Sequence, residues 1–215
     1  MTVDMDMEEI MANETQNMFE SLIVTTVKED HIFLPLKANS DLINFTDLKY
    51  KVIRAPRLEG SKKSVMAFSK GTILGYCKFK KRCSFEEWTN MVAEALRKSG
   101  VDCSIEGNDM IVSGKKVGAT IYYENEEWLG LGLFVATTPP PKEIIKHITY
   151  PADYLARKNI KDSSSRMGYV SVDANVFEQA LYKILKENGY DIKLITEKPT
   201  ILNPERYVIY NGTKG

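Results

Sequence analysis

"GNDMIVSGKKVGATIYYENEEWLGLGLFVA", residues 107–136, alternates short apolar runs with turn-forming residues at Gly107–Asn108, Ser113–Gly114 and Asn125. Apolar runs of this length bounded by Gly, Asn and Ser read as strands joined by tight turns. With "VDCSIE" ahead of it, the stretch is expected to be a short strand followed by a meander of three more. Two features are not explained by a plain meander. Lys115 and Lys116 sit at the start of one strand, and Gly130 and Gly132 interrupt another, where glycine adds backbone entropy and packs nothing.

Two marked helices flank this core. "SFEEWTNMVAEALRKSG" places Ser84 and Glu87 at capping-box spacing, then an apolar stripe at Phe85, Trp88, Val92, Ala95 and Leu96, with Gly100 as the stop. "SVDANVFEQALYKILKENG" has Asp173 as its cap and Gly189 as its stop. Between the meander and the second helix, "TTPPPKEIIKHI" reads as a break followed by a helix, and "YPADYLARKNIKD" as a short helix. Nearer the N-terminus, residues 5–20 have helical spacing at Met7, Ile10, Met11 and Met18. "SLIVTTVKEDHIFLPL" reads as a hairpin or two strands, and "NSDLINFTDLK" as a loop with a helical turn. "YKVIRAP" (50–56) is a strand closed by proline, "RLEGSKKS" (57–64) a polar loop, and "VMAFSKGTILGYCKF" a hairpin turning at Ser69-Lys70-Gly71. The order of elements gives an α+β class with a mixed, largely antiparallel sheet flanked by helices. Residues 1–215 are read as one domain, with 1–14 allowed to be disordered and 191–215 as a C-terminal extension that carries an edge strand at most.

Composition narrows the function. Lys plus Arg equals Asp plus Glu at 29 each, so no net field draws the chain to nucleic acid or an anionic membrane. The three cysteines have no metal-ligand spacing and read as buried thiols in a reducing compartment. The two histidines, His31 and His147, are far apart, which argues against a histidine metal site or a Ser/His/Asp triad. No run approaches the roughly 18 apolar residues of a membrane span, and the start is acidic, so a cytoplasmic protein is expected. "KFKKRC" (78–83) reads as a solvated strand end. Its alternative, a nucleic-acid surface using Tyr76 and Phe79, lacks an RNP-type motif.

Residues 107–120 resemble the Asn-Asp…Gly-Lys-Lys…Gly-Gly signature of the biotin and lipoate protein ligase superfamily. "WLGLGLFVA" is similar to that superfamily's glycine strand, and "YKVIRAP" to its arginine strand. "ITYPADYLARKNIKDSSSRMGYVS" is similar to a lipoate ligase stretch that ends on a Ser-Arg pair, here Ser165 and Arg166. The resemblance implies a biotin/lipoyl ligase-like fold. It further implies an ATP-dependent acyltransferase that activates lipoate or octanoate as an acyl-adenylate and passes it to a lysine of a lipoyl-acceptor domain.

On that resemblance Lys116 is the catalytic residue, holding the carboxylate and α-phosphate. Asn108 and Asp109 orient nucleotide or metal, and Gly118 and Ala119 are the paired small residues. Arg54 and the loop with Gly60, Lys62 and Lys63 neutralise phosphates, while Gly130 and Gly132 leave space for the acyl or adenylate moiety. ATP with Mg2+ and lipoate are the implied ligands, and no metal site built from the chain alone is expected. The superfamily's Arg-Arg-x-x-Gly-Gly-Gly loop reads "RAPRLEGSKKSVMAF" here, and its later histidine and asparagine positions read Leu129 and Phe134. These departures define an alternative, a catalytically degenerate platform that binds or regulates a protein partner.

Overall fold

The β-branched and aromatic runs pair into two sheets, stacked with a core between them. In the computed structural model the described residues are 2–14, 20–56, 58, 65–80, 83–139, 141–157, 159 and 161–212. In chain order the elements are α1 (Met7–Glu14), β1 (Ser21–Thr26), β2 (His31–Leu34), β3 (Lys51–Arg54), β4 (Met66–Phe68), β5 (Ile73–Phe79) and α2 (Phe85–Lys98). The expected meander follows as β6 (Ser104–Glu106), β7 (Asp109–Val112), β8 (Lys115–Glu124) and β9 (Leu129–Val135). Then come α3 (Lys142–Ile145), α4 (Ala152–Arg157), α5 (Ser163–Arg166), α6 (Ala174–Glu187), β10 (Lys193–Leu194) and β11 (Val208–Tyr210).

The larger sheet has the order β10-β1-β5-β9-β8-β7-β6, antiparallel except where β10 pairs with β1. The smaller has the order β11-β3-β2-β4, with β2 and β3 parallel. The fold is therefore α+β with mixed sheets flanked by helices, but the strands divide between two sheets.

That division corrects the expected hairpin at Ser69-Lys70-Gly71. β4 pairs with β2 in the smaller sheet, whereas β5 pairs with β1 and β9 in the larger. The turn is a corner between sheets, with Gly71 at φ +91°. It is held by the Lys70 amide donating to Asp30 Oδ1 at 2.7 Å and Thr138 Oγ1 donating to the Lys70 carbonyl at 2.8 Å. β1 and β2 likewise go to different sheets.

Three apolar clusters result. One lies between the larger sheet and α2 with α6, and includes Trp88, Val92, Leu96, Phe177 and Leu181. The helix α2 is fixed there by its capping box, Ser84 and Glu87 exchanging bonds at 3.0 and 2.6 Å. The second lies between the sheets and includes Phe33, Phe68, Tyr76, Ala119 and Phe134. Val3, Met5, Met7, Ile10 and Met11 are buried in it, so this N-terminal segment packs in place where disorder was allowed for. Met18, expected on the same helix, lies outside the described residues. The third covers the outer face of the smaller sheet with Ile43, Leu48 and Ile144. The C-terminal extension adds one edge strand to each sheet.

Candidate functional site

The turn between β7 and β8 uses two left-handed residues, Ser113 at φ +49° and Gly114 at φ +73°. A register shift after Met110 then sets Ile111 opposite Lys116 while Asp109 lies opposite Ala119. This geometry brings Asp109 and Lys116 together, Oδ1 to Nζ at 2.6 Å. Arg166, 57 residues downstream of Asp109, closes the group with Nη2 at 2.8 Å from Asp109 Oδ2. The Asp109 side chain is only 7% exposed, against 25% for Lys116 and 19% for Arg166. An enclosed carboxylate is costly unless both oxygens are paired, and here both are.

The segment carrying Arg166 is strapped onto β8. Asp162 caps α5, accepting from the Ser164 hydroxyl at 2.5 Å and the Ser165 amide at 2.8 Å, and these bonds, the Ser164 hydroxyl first, hold its carboxyl below its ordinary pKa. Met167 bridges to Lys116, the Gly168 amide donates to the Lys116 carbonyl at 2.8 Å, and Lys115 Nζ donates to the Ser165 carbonyl. A Cβ on Gly168 would stand 2.6 Å from Lys115 Cβ, so this approach needs glycine.

Lys116, Arg166 and Asn108 stand at one side of a cavity of about 140 Å³ between the two sheets. Its other walls are apolar or aromatic: Phe68, Ala119, Ile121 and Phe134, with Ile145, Ile148 and the stacked rings of Tyr150 and Tyr154, 5.2 Å apart. Lys116 Nζ lies 5.4 Å from the Phe134 ring centroid. Asp109 and the more exposed Glu106, 3.6 Å from Arg166 Nη2, offset the Lys116 and Arg166 cations, which stand beside an apolar slot. The cavity thus has two cationic side chains at one side and apolar walls elsewhere. Tyr150 and Tyr154 were not among the expected site residues; their sequence signal is an aromatic pair bracketing the start of α4 in "YPADY".

The other expected site residues divide. Ala119 lines the cavity, as does Asn108, whose Nδ2 donates to the Thr120 carbonyl at 2.7 Å and so braces the turn. Arg54 does not line it: Nη1 donates to the carbonyls of Leu36 at 3.2 Å and Ala38 at 2.9 Å, fixing that loop. Gly118 is required by packing, since a Cβ there would lie 2.5 Å from the Phe134 carbonyl oxygen. The space beside Gly130 is filled by Trp128 and Tyr76, whose atoms a Cβ would meet at 2.8 and 2.9 Å. Beside Gly132 stand Ile121 at 2.9 Å and Leu58 at 3.3 Å. These two glycines therefore accommodate the protein's own side chains, because the neighbouring strand and loop supply large residues there. Gly60, Lys62 and Lys63 lie outside the described residues.

Other candidates are set aside by burial. Among the described residues no group of three or more His, Cys, Asp and Glu could hold a metal ion. Burial pushes the Cys83 thiol up to about 11 and raises Cys77 and Cys103, away from reactive thiolates. Lys78 of "KFKKRC" is not solvated but buried, its Nζ 4.1 Å from the Trp128 ring centroid. Tyr76 and Phe79 are buried in different clusters, so they form no platform for stacking bases. No described helix is long and apolar enough to cross a membrane.

The arrangement of two stacked sheets with Lys116 at the start of β8 can be set beside solved structures. A bipartite lipoate protein ligase from an archaeal lipoylation system of Thermoplasma acidophilum superposes with TM-score 0.67 over 95% of this chain and 88% of its own, at 13% identity. A lipoate protein ligase A bound with ATP gives TM-score 0.64 over 95% and 90%, at 11% identity. The fold is that of the lipoate protein ligases. A T. acidophilum structure of protein Ta0514, described as a putative lipoate protein ligase with bound lipoic acid, gives TM-score 0.62 over 95% and 90%, at 11% identity. No family model matches the sequence, and no curated protein sequence matches it significantly. The lipoate ligase fold is thus present at an identity where sequence comparison alone does not find it.

Proposed function

We propose that this chain is an ATP-dependent lipoate protein ligase-like acyltransferase, activating lipoate or octanoate and transferring it to a lysine of an acceptor domain. The observation that carries the reading is Lys116, paired at 2.6 Å with the enclosed Asp109 and standing at the polar side of an apolar cavity. The ligand's carboxylate sits at Lys116 and Arg166, and its chain runs over Ala119 toward Phe134. A carboxylate oxygen attacks the α-phosphorus of ATP, the bond to pyrophosphate breaks, and the Lys116 ammonium offsets the negative charge on the phosphoryl oxygens. The neutral amine of the acceptor lysine then attacks the acyl carbon, the carbon–oxygen bond to AMP breaks, AMP leaves, and the amine's extra proton passes to solvent. Asp109 positions Lys116 and Arg166 rather than taking a proton.

Magnesium is normally held by one or two carboxylates together with phosphate oxygens. Asp109 has both oxygens in ion pairs, so the described residues do not fit a protein-held metal and no step is assigned to one. The T. acidophilum ligase works with a lipoyl domain of an E2 protein, which supports an acceptor of that class here.

A second reading, a degenerate platform serving a protein partner, is favoured by one observation. Phe134 fills space over Ala119, and the cavity of about 140 Å³ is below the roughly 300 Å³ at which ligand pockets usually begin. The test is pyrophosphate exchange into ATP with lipoate and octanoate, together with calorimetric titration of a non-hydrolysable lipoyl-adenylate mimic, on wild type and Lys116→Ala. Exchange lost in Lys116→Ala supports the ligase. Mimic binding without exchange, or neither signal with wild type, sinks the ligase and leaves the platform.

A further inference from the structure

A second cavity lies directly behind the first. It measures about 20 Å³, is apolar, and is bounded by Met7 and Met11 of α1, Leu58 and Gly132. Met66, Phe68, Ile121 and Phe134 line both cavities and so form the partition between them. Within that partition Phe134 is the member aligned across the sheet with Ala119, which offers only a methyl group, and its ring leans on Phe68 with centroids 5.1 Å apart. Gly132, two residues before it on the same strand, contributes no side chain to the space behind.

We propose that Phe134 is the end wall of an acyl-chain channel and sets the longest chain this site accepts. The inference rests on the reading that Lys116 holds a carboxylate head, and it adds which residue determines chain length. The polar head site, the slot over Ala119 and the second cavity follow one another along the same face of the larger sheet, interrupted by the Phe134 ring. An apolar space of about 20 Å³ is little more than one water-sized volume, so it is too small to hold a ligand while separate. Joined to the first cavity by loss of the ring, it extends the slot toward α1, where Met7 and Met11 are unbranched and adapt readily to a neighbour's shape. Each methylene that a longer chain then buries strengthens binding about fourfold.

The experiment titrates straight-chain carboxylates from butyrate to tetradecanoate into wild type, Phe134→Ala, Phe134→Leu and Lys116→Met, each first checked for a cooperative thermal transition. With wild type, affinity should rise about fourfold per methylene and then stop rising at a definite chain length. In Phe134→Ala the limit should move to a longer chain, so that the first carboxylates beyond the wild-type limit bind about tenfold or more tightly than they do to wild type. Phe134→Leu should fall between, giving a readout that does not depend on the more disruptive variant. Lys116→Met should weaken all lengths alike. An unchanged limit in Phe134→Ala and Phe134→Leu, with binding still dependent on Lys116, overturns the end-wall assignment and leaves the carboxylate site standing. Absence of binding by wild type and the Phe134 variants at every length overturns the carboxylate site and the channel with it.

Discussion

Replacing Asp109 by Asn should destabilise the protein by about 2–3 kcal/mol, at or just under the range for breaking a buried ion pair by removing one partner. Asn keeps the shape of the side chain, so the loss measures charge rather than packing. In wild type the carboxylate meets Lys116 at 2.6 Å and Arg166 at 2.8 Å, and its 7% exposure allows little hydration to compete. Without it the Lys116 ammonium and the Arg166 guanidinium face each other, but both are partly exposed to water and Arg166 keeps Glu106 at 3.6 Å, which holds the cost near the low end. For a chain of this length the melting temperature should fall by roughly 4–12 °C. Urea denaturation of Asp109→Asn, Lys116→Met and the double variant would show a coupling of about 1–2 kcal/mol between the two positions. Because the carboxylate is enclosed, the effect should persist at high salt. Amide exchange in residues 163–168 should quicken, since Arg166 ties that segment to β7. A loss below about 0.5 kcal/mol with no coupling would refute the claim that this group holds the strap onto the sheet.

Three further expectations follow from single sites. His31 is fully buried, its Nε2 has no hydrogen-bond partner among the described residues, and burial lowers its pKa below the ordinary value despite the Glu29 carbonyl and the Glu8 and Glu29 charges nearby. The unfolded chain then binds the proton more readily, so stability should fall as pH drops below about 6.5, and His31→Phe should flatten that slope in urea titrations between neutral and acidic pH. Gly118→Ala puts a Cβ 2.5 Å from a backbone oxygen of the neighbouring strand and should cost about 1–3 kcal/mol; an unchanged urea midpoint would contradict this contact. Ser84→Ala removes the acceptor for the Glu87 amide and should cost about 1 kcal/mol, with Ser84→Asp restoring most of it in thermal melts.

The parts of the fold legible in the sequence are those fixed by local chemistry. The Ser84 capping box, the Asp173 cap with its Gly189 stop, and the meander through 104–135 all depend on residues within a few positions of one another. The Ser69–Gly71 turn shows where this limit lies. Its residues announce a change of direction, but whether the next strand returns to the same sheet is settled by Asp30 and Thr138, which are remote in sequence. The glycines of β9 follow the same rule. Their spacing signals a close approach, while the identity of what approaches, Tyr76, Trp128, Ile121 and Leu58, comes from pairing and layering that the sequence does not print.

The same distinction bears on how the resemblance at residues 107–120 should be weighed. Asn108 braces a turn, Gly118 admits the Phe134 carbonyl, and Asp109 clamps α5 to β7, so each has a folding role that would stand with no ligand present. Those residues therefore argue for the lipoate ligase fold more than for its chemistry. Lys116 differs in that part of its side chain faces the cavity while the remainder is held by Asp109. Replacing it by methionine keeps the aliphatic length that packs beside Phe134 and removes only the charge. If Lys116→Met keeps most of the wild-type stability yet loses carboxylate binding, the charge serves the ligand. If stability falls as far as in Asp109→Asn and carboxylates never bind, the charge serves the strap, and the cavity belongs to a platform.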